Sequence, residues 1–345
     1  MSVAKINIYR ALKTNLRYFF FIIFLAVVPE AILAQTSGPK MIPSGKNAER
    51  IIKVEKLQQE VEFLCDTMFN GRGTGTSGAN EAAFWVARRF RKAGLMKMGG
   101  KWSRSFEVAG KAGHNIIGFM PGKRSGLKEG YVIVTANYDN HGKIAGTVYP
   151  GADSNASGLV AMVNIADMFA RMKELGRSYG KNLIFVATDA RERNSLGAEA
   201  LWSDIASGKL KDPVSGETVT PSKIQNVVVL DILGSSLSPL TKGRKDYLIM
   251  LGGAGYKYQL ISANNADGLN LDLGFDYYGS EGFTEMFLSR IGDQGVFSRA
   301  GAPCAVFTSG ITMKTNKVED NALSLNYNVF KRRIFLIFHW LEKVL

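Results

Sequence analysis

Tyr131-Val132-Ile133-Val134-Thr135-Ala136 is a nearly continuous apolar run that gives way at once to Asn137-Tyr138-Asp139-Asn140-His141-Gly142. A run without polar alternation reads as a strand buried on both faces. The same pattern recurs. Leu183–Ala187 runs into Thr188-Asp189-Ala190-Arg191-Glu192, and Val227–Leu230 ends directly in Asp231. Asn115–Met120 and Ala305–Phe307 read as two further strands, the first stopped by Pro121-Gly122. Between them lie helical patterns over Ala48–Phe69, Asn80–Ala93, Gly158–Arg171 and Ser195–Ile205, with a last one over Lys331–Val344. Strands alternating with helices predict an α/β fold: a mostly parallel central sheet with helices on both faces. One domain, 48–345, accounts for the chain.

Ahead of that domain, the segment 1–34 has the order of a secretory signal. Lys5, Arg10, Lys13 and Arg17 precede an apolar run, Tyr18–Val28, and Ala31-Ile32-Leu33-Ala34 precedes Gln35. Export to the periplasm or medium is expected, with no stable membrane span after processing. The segment 35–47 reads as a polar linker. The formal net charge is +13, yet the longest basic run is Lys331-Arg332-Arg333 within a helical pattern. That points to a solvated face rather than a nucleic-acid partner. The cysteines, Cys65 and Cys304, are too few for a disulfide framework and leave open whether they are bonded.

In open α/β sheets, functional groups gather beyond the carboxyl ends of the strands. Here that rim collects Asp139, the segment Gly151-Ala152-Asp153-Ser154-Asn155-Ala156-Ser157-Gly158, the Arg191-Glu192 pair and Asp231. Asp153, Glu192 and Asp231 are therefore expected to converge.

Taken in order, these segments resemble the M28 zinc exopeptidases. That family has His-Tyr-Asp after a buried strand, then Gly-Ala-Asp-Asp-Asn-Ala-Ser-Gly. A Glu-Glu pair, a strand-terminal Asp and a late His-Thr follow. Gly71-Arg72-Gly73-Thr74-Gly75, Asn115-Ile116-Ile117-Gly118 and Ala300-Gly301-Ala302-Pro303 extend the resemblance over the domain. It implies an M28-like α/β sandwich with two zinc ions sharing a bridging Asp. Each ion has one His and one further carboxylate, and the first Glu of the pair is the general base. Paired metals polarise the scissile carbonyl and lower the pKa of a bridging water, whose proton the Glu accepts.

Carried over by position, the resemblance places Asp153 at the bridging site and Glu192 and Asp231 at the other carboxylate positions. Asp139 keeps the place that orients the first His, but that His is Asn137. Ser154 stands for the second Asp of the Asp-Asp pair, whose bond in the family suggests a cis peptide at Asp153–Ser154. Arg191 replaces the general base, and Lys314-Thr315 matches the late His-Thr. Gly292-Asp293-Gln294 matches a Ser-Asp-His segment of many members. An Asn amide is a poor zinc ligand, protonated Lys has no lone pair, and Arg cannot act as a base near neutral pH.

The expected function is thus an impaired or inactive relative with a cleft for a peptide or small molecule, and no cofactor. The alternatives are an active zinc aminopeptidase with an unusual metal site and a glutaminyl-cyclase-like acyltransferase. Arg191 and Lys314 are expected to balance the charge of Asp153, Glu192 and Asp231 in place of metal. His141 lies four residues past the lost ligand, and structural or surface roles are expected for His114 and His339.

Overall fold

The architecture follows from where the apolar runs pair. A computed structural model describes residues 46–123, 130–244 and 246–345. The expected signal segment and almost all of the expected linker lie outside them. All described residues fall in one compact unit, Pro43–Leu345.

The strands, in chain order, are β1 (Met96–Lys97), β2 (Ser103–Val108), β3 (Lys111–Met120), β4 (Tyr131–Asn137), β5 (Gly142–Ile144) and β6 (Thr147–Tyr149). They continue with β7 (Asn182–Thr188), β8 (Ile224–Leu230), β9 (Tyr247–Gly252), β10 (Asp272–Gly274) and β11 (Cys304–Thr308). The main sheet has the order β1-β3-β7-β4-β8-β11-β9-β10, with β2 paired to β3, and β5-β6 form a separate hairpin. Its centre, β7-β4-β8-β11, is parallel as expected. The flanks are not: β3 runs antiparallel to β7, and β9 antiparallel to β11. The β2–β3 pair is a hairpin closed by Val108↔Lys111, which turns β3 against the direction of the centre.

The helices are α1 (Lys46–Glu49), α2 (Val54–Cys65), α3 (Ser77–Lys92), α4 (Gly158–Glu174) and α5 (Leu196–Ala206). Then come α6 (Lys257–Ala266), α7 (Glu281–Ser289), α8 (Gly292–Arg299) and α9 (Tyr327–Val344). Side chains alternating along each strand feed two cores. Val132, Val134, Phe185, Val228, Leu230 and Phe307 face one side, packed by α2, α3, α4, α6 and α9. Ile133, Ile184, Val186, Val227, Val229 and Val306 face the other, packed by α5, α7 and α8. Burial on both faces is why these strands read as unbroken apolar runs. No helix among the described residues is long and apolar enough to cross a membrane.

One side chain braces the loops at the carboxyl rim. Arg72, wholly buried, donates from Nε to Tyr138 O at 2.9 Å and from Nη2 to Gly151 O at 2.8 Å. Its Nη1 reaches Leu64 O and Pro150 O. It thereby ties α2, the residues after β4 and the loop before α4 together. Gly71 beside it has φ +70°, and a Cβ there would stand 2.5 Å from Tyr149 O, so only glycine fits. Cys65 and Cys304 are unbonded, and burial pushes the Cys65 thiol up to about 11 and Cys304 up to about 12.

Candidate functional site

Each parallel strand delivers its last residues to the same rim. Asn137 closes β4 and is buried. Its Nδ2 donates to Asp139 O at 2.9 Å and approaches Asp139 Oδ1 at 3.3 Å, while its Oδ1 accepts Asn155 Nδ2 at 3.0 Å. The amide is engaged at both ends. Asp139, fully buried, accepts the Glu192 amide at 3.2 Å. Asp189 accepts its neighbour Ala190 N at 2.7 Å and His114 N at 3.1 Å. Thr74 Oγ1 lies between these carboxyls, 2.9 Å from Asp189 Oδ1 and 3.4 Å from Asp139 Oδ2. Burial first, then the charge of Asp189, holds Asp139 well above the ordinary carboxylate range.

These two carboxyls hold a strained turn. After β7 the chain passes through Ala190 (φ 59°), a single 3-10 turn Arg191–Arg193, then Asn194 and Ser195, both at φ 58°. Left-handed backbone at non-glycine residues requires outside support. The bonds from the Ala190 and Glu192 amides to Asp189 and Asp139 supply it.

The turn presents Arg191. Its Nη1 donates to Glu192 Oε1 at 3.0 Å and its Nη2 to Asp231 Oδ2 at 2.9 Å. His141 Nδ1 lies 3.2 Å from Glu192 Oε2, with its ring edge-on to Tyr149. Burial alone would depress the guanidinium, but Asp231, Glu192 and Asp293 outweigh it and hold it above its ordinary value. Asp293, at the start of α8, bonds Thr188 Oγ1, and burial raises its pKa. Asp231 Oδ1 and Asp293 Oδ1 are buried without a hydrogen-bond partner.

Asp153 does not join this group. Its Oδ1 accepts Gly234 N at 2.6 Å and Ser157 Oγ at 3.0 Å, and its Oδ2 accepts Ser235 N at 3.1 Å. The carboxylate pins the loop after β8. The expected convergence of three carboxylates is therefore corrected: Glu192 and Asp231 meet through Arg191, whereas Asp153 faces backbone amides. The cis peptide bond lies at Ser154–Asn155, one residue beyond the expected position. Lys314 is exposed and forms no ion pair with Asp153, Glu192 or Asp231, which corrects its expected role in charge balance. Arg191 takes that role for Glu192 and Asp231. His339 takes the structural role expected of it: it is buried, with Nε2 2.7 Å from Glu49 Oε1 and Nδ1 3.3 Å from Glu342 Oε2.

Two contributors escaped the sequence reading. Asp320 accepts the Asp153 and Ser154 amides at 2.7 and 3.1 Å, and burial raises it to about 6. Asp189 sits beside the expected residues but carried no separate signal, since its role depends on backbone it meets only in the fold.

The residues do not fit the two zinc ions that the resemblance implies. Asn137 and Asp153 are engaged elsewhere, the exposed Lys314 pairs with none of these carboxylates and has no lone pair for a metal, and a permanent cation bridges Glu192 and Asp231. Among the described residues, no group of three or more His, Cys, Asp or Glu is placed to hold a metal.

Comparison with known proteins agrees with the fold. The sequence model of Peptidase family M28 matches residues 115–337. The "Alkaline phosphatase isozyme conversion protein" of Escherichia coli (strain K12) is 26% identical over 181 residues, 48% of this chain and 50% of that protein. The chain thus spans about half the length of this curated relative. BSAP, a zinc aminopeptidase from Bacillus subtilis, superposes with a TM-score of 0.62 at 13% identity, covering 85% of this chain and 95% of that one. Fimbriiglobus ruber glutaminyl cyclase gives 0.64 at 16%, covering 84% and 95%. Legionella pneumophila LapA aminopeptidase gives 0.63 at 12%, covering 89% and 76%. At these identities the structural likeness is one of fold alone.

Proposed function

The chain belongs to peptidase family M28, and from that premise we propose that it is an exported, non-hydrolytic member that retains a ligand site for a peptide or small molecule. One observation carries the reading: Arg191 stands as a fixed cation between Glu192 and Asp231, within 3.0 and 2.9 Å of them. A guanidinium in that place neutralises the carboxylates that a metal would need. It also removes the general base, because it holds its protons at any working pH. Loss of a general base alone lowers hydrolysis by roughly 10²–10⁴-fold.

The site remains reachable. The side chains of Arg191, Glu192 and His141 keep 14, 19 and 25% of their surface exposed, so a ligand can touch them from solvent. Export is supported by the order of basic, apolar and small residues up to Ala34.

The test is metal analysis of the purified protein, together with turnover of aminoacyl chromogenic substrates and of a peptide with N-terminal Gln, with and without added zinc. No bound zinc and no turnover are expected. About two zinc ions per chain with chelator-sensitive aminopeptidase turnover, or cyclisation of the Gln peptide, would overturn the reading.

A further inference from the structure

The end of the sheet opposite the candidate site carries a cavity. The candidate site lies beyond the last residues of β7, whereas this cavity opens where β7 begins and β3 ends. Its volume is about 210 Å³. Met120, Pro121 and Leu183 give it apolar walls, and Lys123, Lys173, Arg177 and Lys181 its charge. None of its described lining residues is acidic.

The cavity is a built feature. Lys123 N donates to Tyr179 O at 2.6 Å, and Gly122 N to Asn182 Oδ1 at 2.9 Å. A Cβ on Gly122 would stand 2.3 Å from Lys181 O, so the two backbone segments meet only because the residue is glycine. On the far side Glu342 accepts Tyr179 Oη at 2.9 Å and lies 3.1 Å from Arg177 Nε. Lys181 Nζ donates to Val344 O at 2.6 Å, and burial lowers its pKa.

Among the described residues, the charge in the cavity is not balanced from within. Glu342 is the carboxylate that answers Arg177, and it is shared with Tyr179 and His339. Lys123 and Lys173 have no ion-pair partner among the described residues. The carbonyl end of α4 favours a cation at Lys173. It does not explain Lys123 or Lys181, which come from other elements. Three lysine side chains lining one space of this size match a compact dianion better than a single carboxylate. A water takes about 30 Å³ of liquid volume, so the cavity also has room for a few carbons beside such a head.

We propose that this cavity binds an organic phosphate, with the phosphoryl group among Lys123, Lys173 and Lys181 and a short apolar group against Met120, Pro121 and Leu183. The same chemistry could reach it as a soluble phosphomonoester or as a phospholipid headgroup. The inference is independent of what the distal site does.

The experiment is calorimetric titration of the mature protein with butyl phosphate and with inorganic phosphate, plus co-sedimentation with phosphatidylcholine vesicles with and without phosphatidic acid. Butyl phosphate is expected to bind one site and more tightly than inorganic phosphate. Lys123→Glu and Lys173→Glu should each weaken it about tenfold or more, and Arg191→Ala should leave it unchanged. Both lysines are exposed, so folding survives their replacement, as a matching melting temperature would verify. Vesicle binding that requires phosphatidic acid and both lysines identifies a headgroup; butyl phosphate binding without vesicle binding identifies a soluble ligand. Absence of butyl phosphate binding at millimolar concentration, or equal binding by wild type and both variants, overturns the proposal.

Discussion

Replacing Arg191 by Ala should destabilise the protein by far more than replacing the other cation expected at the site. Arg191 is 14% exposed and bridges Glu192, 19% exposed, and Asp231, 5% exposed. Without it, Asp231 loses the donor to Oδ2 at 2.9 Å, and Oδ1 has none to begin with. A carboxylate left buried without any donor is the expensive outcome. Breaking one member of a buried ion pair costs about 3–5 kcal/mol. The partial exposure of Glu192 lets water take over that half, which places the expectation near the lower bound, about 3 kcal/mol. Lys314→Ala, an exposed change without an ionic partner, should stay within about 0.5 kcal/mol of wild type. Urea unfolding followed by far-ultraviolet circular dichroism measures both, read as midpoint shifts at constant slope. Equal midpoints for Arg191→Ala and Lys314→Ala would refute the assignment of Arg191 as the cation that holds the site.

Three further outcomes are expected. His339 sits between Glu342, Glu49 and Asp267; burial would lower its pKa, but these carboxylates raise it from 6.5 to about 9. The stabilisation is therefore complete below about pH 6.5 and lost as pH rises through 9, so His339→Gln should flatten a decline of at most a few kcal/mol between urea midpoints at pH 6 and 9.5. Arg72→Lys keeps the charge but cannot reach Tyr138 O, Leu64 O, Pro150 O and Gly151 O together, and a loss of about 3 kcal/mol or more is expected in the same assay. On the proposed export, mass spectrometry of protein recovered from the periplasm or medium should find its N-terminus at or near Gln35; an intact Met1 or Ser2 would contradict the signal reading.

The parallel centre was legible because β4, β7 and β8 are buried on both faces and so appear as apolar runs. The helices α6 and α8 were not. In α6 only Leu260, Ala263 and Asn264 are buried, and α8 carries glycine at Gly292 and Gly295, so neither shows a clear apolar stripe. At the site, Asn137, Arg191, Glu192 and Asp231 were legible because strand ends fix where a residue stands. Asp153 and Lys314 were misjudged for a shared reason. Spacing along a loop locates a Cα atom but not the direction of its side chain, and Asp153 turns toward the Gly234 and Ser235 amides.

That division also accounts, on the reading proposed above, for carboxylates kept without metal. Asp139 and Asp189 accept the amides of the turn that carries Arg191, Asp153 accepts those after β8, and Asp320 accepts those of the loop before α4. Each has backbone to satisfy, and removing any of them would strand buried N–H groups. Glu192 and Asp231 instead bond a cation, and one guanidinium reaches both. A single residue therefore suffices to neutralise what the resemblance assigns to metal. The converse follows. Arg191→Glu alone would set a third carboxylate against two and remove the cation they share, so restoring the base without also restoring imidazole at Asn137 should unfold the site rather than reactivate it.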